Sequence, residues 1–342
     1  MIEQKNCRIS AVQFFSLVFI SRAVVSLTYI QAVSVGTFSS DILISYALSF
    51  LFSVLCSLPA VICVNKGISV KDNKFINAFY VAYCVFVCAL TVSRFCYFVV
   101  SKMNAQIPMM VILLIVLLSA AYGSYLGIES LGRFGFFCSV ILFLVIGVVI
   151  IFNIKNYEML NLYPLYTNTK SDMIKNTFIF CSNTTQPVLL LLLKDKVNTN
   201  PVKPYFFGIG LSYLCMFLLL LFCCAVLGSN ADLQSFPIFS LFCLASISDV
   251  SRLDILHTSF WTFAVYLKCA VLLFCCIDSY SQKNKTKAVA LFTALALIVS
   301  VIIVYLVGTN IVELSKIIGA VSFVAFVVLI PLVLCFRKKV IK

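Results

Sequence analysis

Ten long apolar stretches, separated by short polar breaks, take up nearly all of the 342 residues. That pattern constrains the fold more than any motif does. A membrane-crossing helix needs about 20 mostly apolar residues at ~1.5 Å rise each. The stretches that meet this are Ala11–Val33, Ile42–Val64, Phe75–Val100, Pro108–Leu126, Phe134–Ile154, Ile174–Leu193, Tyr205–Leu227, Leu253–Cys276, Ala288–Val307 and Val312–Phe336. A soluble domain has to cover itself with polar side chains, but 63% of these residues are hydrophobic and only 11% are charged. Lipid is the solvent that tolerates such a surface. The stretches are too long and too evenly apolar for barrel strands, so the spans are predicted to be helices.

Basic residues set the expected orientation. With the N-terminus inside, Lys5, Arg8, Lys66, Lys71, Lys74, Arg133, Lys194, Lys196, Lys203, Lys283, Lys285, Lys287, Arg337, Lys338, Lys339 and Lys342 fall on the cytoplasmic side. Only Lys102, Lys155, Lys170 and Lys175 fall outside, so ten spans with both termini cytoplasmic are expected. The net charge of +13 follows those loops, which argues against nucleic acid as a partner. The first span is too long for a cleavable signal peptide, and no small-residue cleavage site follows it.

Sixteen cysteines do not read as a disulfide framework, because most lie inside apolar spans where they serve as small core residues. His257 is the single histidine, with no Cys/His spacing of a metal site. No nucleophile–base constellation is apparent. Neither an enzyme nor a cofactor is expected.

Polar residues inside spans therefore carry the information. Charge in the hydrocarbon costs roughly 2.5–3.5 kcal/mol on insertion scales and usually faces a partner or a wet cavity. Arg22, Arg94 and Lys268 lie inside spans 1, 3 and 8. They are candidates for ligand or ion-coupling roles, or for structural pairing and snorkelling. Span 6 is interrupted by Cys181-Ser182-Asn183-Thr184-Thr185-Gln186-Pro187. Pro187 removes a backbone donor and disfavours helix at the preceding residue, so a broken helix is predicted, with Ser182, Asn183, Thr184, Thr185 and Gln186 at a binding site. The competing reading is a kinked helix whose hydroxyls bond back to its own carbonyls. Span 1 offers Ser21, Arg22 and Ser26, but no Gly or Pro to break it. Thr258, Thr262 and Tyr266 recur at four-residue spacing on one face of span 8, and Thr91 lies in span 3. Thr and Tyr in membrane helices often bond neighbouring helices instead of ligands. Two sets of five helices, approximately 9–160 and 170–336 within a single domain of 1–342, would make spans 1 and 6 positional counterparts in an inverted repeat.

Several short motifs, taken in order, point to a family. These are Ile9-Ser10 with Gln13-Phe14-Phe15, Ala121-Tyr122-Gly123, Gly127-Ile128-Glu129-Ser130-Leu131-Gly132-Arg133-Phe134, Leu162-Tyr163-Pro164-Leu165, Ser235-Phe236-Pro237, and Ser251-Arg252-Leu253-Asp254-Ile255 followed by Trp261 and Lys268. Across nearly its whole length the chain resembles the B-subunit permeases of spore germinant receptors, within the amino acid–polyamine–organocation superfamily. The resemblance implies an all-α, LeuT-like five-plus-five bundle in the inner membrane of a bacterial endospore. It implies a sensor of a small-molecule germinant, often an amino acid, acting beside an A-type membrane subunit and a C-type lipoprotein subunit. A secondary transporter of amino acids or organic cations would share the same fold and site. Lys268 would stand where sodium-coupled relatives of the fold hold a cation. Two departures bear on the ligand. Arg22-Ala23-Val24-Val25 stands where many members have Gly and then Pro, and Gln186 or a neighbour stands where many have Glu. Loss of that carboxylate removes a partner for a ligand's amino group, so the ligand is expected to differ from the usual amino acid.

Overall fold

The structure is a computed structural model. It describes residues 8–32, 36–103, 106–245, 253–280, 284–307 and 311–336, with side chains apart from those of 25–32, 307 and 311–315. The chain runs α1 (Ala11–Ala32), α2 (Asp41–Asn65), α3 (Lys74–Phe98), α4 (Met109–Leu126), α5 (Ile128–Asn153), α6 (Lys170–Ser182), α7 (Gln186–Leu193), α8 (Val202–Leu227), α9 (Pro237–Leu244), α10 (Asp254–Tyr280), α11 (Lys285–Val307), α12 (Ile311–Phe323) and α13 (Ile330–Phe336). Eight described segments are long and apolar enough to cross a membrane. With α1 and the α6–α7 pair they make ten crossings. α1 is continuous, in keeping with its lack of Gly and Pro. A π-helical turn at Val324–Leu329 joins α12 to α13 within the last crossing.

One boundary is corrected. Span 5 was expected to begin at Phe134, with Arg133 in a loop. Instead α5 starts at Ile128, directly after Gly127, whose φ of 103° separates it from α4. That conformation suits glycine. Glu129 sits in the first turn of α5, where the helix dipole favours an anion, and Arg133 bonds it one turn later at 2.6 Å. Both side chains are largely exposed, so the pair adds little stability. The Gly-Glu-x-x-x-Arg segment is thus a helix-start device.

The crossings sort into two packed groups. α1, α2, α6–α7 and α8 contact one another, as do α3, α4, α10 and α11; α5 leans on α1 and α10, and α12–α13 on α2 and α6. α10 lies at the centre, with 83% of its most apolar window buried, against 22% for α11 and for the last crossing. The fifteen described cysteines are free thiols, mostly buried among these helices.

The loops gather on two opposite faces. On one, Asp41 at the start of α2 accepts bonds from the Tyr166 N–H (2.6 Å), the Thr167 hydroxyl (3.0 Å) and the Asn168 N–H (2.8 Å), pinning the α5–α6 loop to α2. Asp232 accepts from the Phe38 N–H at 2.7 Å on the same face. On the other face, Asp278 near the end of α10 pairs with Lys71 and, at 2.8 Å, with Lys196. There Ile9 and Val197 form an isolated parallel bridge, and the Lys194 ammonium donates to the Ile68 carbonyl at 2.6 Å. This sorting matches the two sets of loops that alternate along the sequence.

Candidate functional site

The sixth crossing is broken. α6 ends at Ser182 and α7 begins at Gln186 with Pro187 in its first turn, where a missing N–H costs nothing. A helix end leaves carbonyls without intrahelical partners, and in lipid each must be satisfied internally. The local sequence supplies most of what is needed. The Thr184 N–H turns back to the Cys181 carbonyl at 2.9 Å. The Ile179 carbonyl accepts from the Ser182 hydroxyl at 2.8 Å and the Asn183 amide at 2.9 Å. The Phe180 carbonyl accepts from the Arg22 guanidinium of α1 at 3.2 Å. Ser182 and Asn183 are therefore occupied in closing α6.

Arg22 is fully buried. Its guanidinium lies 4.5 Å from the centre of the Tyr213 ring of α8, and Tyr46 packs against both Tyr213 and Phe180. A desolvated cation–π contact of this kind contributes about 2 kcal/mol. The Thr184 hydroxyl bridges Tyr213 and Ser53, each at 3.4 Å. From the other helix group, Arg94 of α3 donates to the Asn183 side-chain amide oxygen (Oδ1) at 3.4 Å. Lys268 of α10 is buried, and its electrostatic neighbours include both Arg94 and Arg22. Arg22 and Arg94 thus reach the break from the two helix groups, and the Lys268 charge is in electrostatic range of both.

Some polar groups here keep unused bonding capacity. Gln186 is fully buried, and both polar atoms of its amide lack a partner among the described residues. The Ser21 and Thr185 hydroxyls are buried and unpartnered in the same sense. Each such group costs about 1–3 kcal/mol if left unsatisfied. A native structure keeps few of them without a reason.

The remaining sequence candidates have other described partners. Thr262 bonds back to the Thr258 carbonyl at 2.8 Å. Tyr266 turns toward α4 and α5: a Cβ on Gly123 would overlap its hydroxyl, and its ring meets Phe134 at 5.4 Å. Tyr266 therefore packs α10 against α4 and α5, while Thr258 and Thr262 bond back within α10, and Lys268 occupies another face. Thr91 bonds back to the Val87 carbonyl at 2.7 Å. The side chain of Ser26 and residues 251–252 lie outside the described residues. Sequence reasoning missed Tyr213 and Ser53. The one signal for Tyr213 was a Ser-Tyr pair inside the otherwise apolar α8.

Among solved structures, the substrate-bound outward-open state of a Na+-coupled sialic acid symporter superposes with a TM-score of 0.63 at 12% identity, covering 93% of this chain and 79% of that one. A nucleobase-cation-symport-1 family transporter, closed with bromovinylhydantoin bound, gives 0.48 at 12% identity over 85% and 72% of the two chains. The first likeness supports the LeuT-like fold expected from the sequence. No curated protein matches the sequence. A family model described as spore germination protein matches residues 8–312. The chain is an integral membrane permease that belongs to the spore germination protein family.

Proposed function

We propose that this permease is the germinant-sensing subunit of a spore receptor and that it binds a small ligand at mid-membrane, at the α6–α7 break. The observation that carries the reading is the spare bonding capacity around that break. The helix end is already closed by Ser182, Asn183, Thr184 and Arg22, yet Gln186, Thr185 and Ser21 remain buried and unfilled. A ligand bridging them would recover several kcal/mol. The three cations lie where the two helix groups meet, so occupancy would also bias how the groups sit against each other. In this reading both termini are cytoplasmic, and A-type and C-type subunits flank the chain. Lys268, at the contact of α10 with α1, supplies a fixed positive charge in place of a coupling cation.

A second reading, a secondary transporter, is favoured by the fold shared with a Na+-coupled symporter. Reconstitution separates the two. A sensor in proteoliposomes should bind ligand without accumulating it and should co-purify with A-type and C-type subunits from spore membranes. Concentrative uptake by this chain alone would reject the sensor in favour of the transporter.

A further inference from the structure

Lys268 differs from the other two buried cations. Arg22 is spoken for by the Phe180 carbonyl and the Tyr213 ring, and Arg94 by Asn183. Lys268 makes no hydrogen bond or ion pair with any described residue, although only 2% of it is exposed. The described carboxylates stand at helix ends or in loops. On its own helix, Lys268 is ~21 Å from Asp254 and ~15 Å from Asp278 at the α-helical rise of ~1.5 Å per residue. A buried ammonium needs a counter-charge or donors' partners to offset its desolvation. The helix that carries Lys268, α10, packs against α7, which begins at Gln186, and against α1, which carries Ser21; there the Gln186 amide and the Thr185 and Ser21 hydroxyls are unfilled. An amide and hydroxyls donate to oxygens well, and three neighbouring cations would repel an ammonium.

Resting on the binding site proposed above, we infer that its ligand is a small organic carboxylate with no amino group. Its charge is held by Lys268, and its oxygens are met by the Gln186 amide and the adjoining hydroxyls. Amino acids, which bring an ammonium into the same cluster, bind weakly or not at all.

The test is thermal unfolding of the full chain in nanodiscs at constant ionic strength. The probes are propionate, lactate and succinate, with L-alanine, propylamine, a nucleoside and a sugar for comparison, and sodium chloride as the inorganic anion. At least one of the three carboxylates should raise the melting temperature with concentration, as a ligand held only by the folded state must. Lys268→Met should weaken that binding by about tenfold to a hundredfold, the effect of losing one charge-assisted hydrogen bond. If Lys268→Met does not fold, Gln186→Glu serves instead. The added carboxylate should abolish the response to the carboxylates and create one to L-alanine. Stabilisation of the unmodified chain by L-alanine, the nucleoside or the sugar, and not by the carboxylates, overturns the inference and leaves the binding site standing. Equal stabilisation by chloride overturns the carboxylate assignment. Silence across the whole panel overturns both the inference and the site.

Discussion

Trp261→Ala lowers the unfolding free energy by about 3 kcal/mol, the low end for truncating a buried aromatic. Trp261 is 1% exposed in the most buried of the eight long apolar spans. Its ring meets Phe98 at 4.3 Å, Phe95 at 5.2 Å and His257 at 6.1 Å. It therefore ties α10 to α3. Lipid is as apolar as the core, so the transfer part of the usual cost is small and the loss comes from the cavity and its missing contacts. The indole N–H has no partner among the described residues, so Trp261→Phe should cost far less. Phe136 faces outward at 49% exposure, and Phe136→Ala should change stability by roughly 0.5 kcal/mol or less. Reversible unfolding in mixed micelles compares the three. Similar losses for Trp261→Ala and Phe136→Ala would contradict the central placing of α10.

On the proposed function, Arg22→Met abolishes the germination response; it also destabilises the chain. The arginine closes the Phe180 carbonyl, whose usual helical donor, the Thr184 N–H, has turned to Cys181. Removing it leaves a buried carbonyl unpaired at about 1–3 kcal/mol and forfeits about 2 kcal/mol of contact with Tyr213. Arg22→Lys keeps the charge but loses the planar group that stacks on the ring while reaching the carbonyl. It should therefore recover folding only in part. Spore response and receptor abundance are read together on the two variants. An Arg22→Met chain of normal abundance and normal response would show that the closure of α6 by α1 is not needed.

The spans and the break were legible in the sequence because each has a strong one-dimensional cause. Lipid demands long apolar runs, and Pro187 behind five polar residues disfavours a continuous helix at that point. The rotational setting of each helix was not legible, because it depends on what packs beside it. Thr262 and Tyr266 share a face by spacing alone, but Gly123 on α4 opens the room that draws Tyr266 away from the break. For Arg94 the sequence left a ligand role and a structural role open, and its partner, the Asn183 side chain, lies on a crossing distant in sequence. The break residues looked equivalent in sequence. Only the accounting of freed carbonyls separates Ser182 and Asn183, which are used, from Thr185 and Gln186, which are not. The clamp of Asp278 on Lys71 and Lys196 joins residues too distant in the chain for any motif to announce.

The central claim is that the break keeps Gln186 unfilled for a ligand. Gln186→Leu tests it most directly. Replacing an unsatisfied buried amide by an apolar side chain of similar size should leave the chain as stable as before or more so. If the chain senses germinant as proposed, the germination dose–response at matched abundance should nevertheless shift by about tenfold or more in ligand concentration. A variant that is equally abundant and responds at unchanged concentrations would contradict the claim, and so would one that loses abundance in step with response.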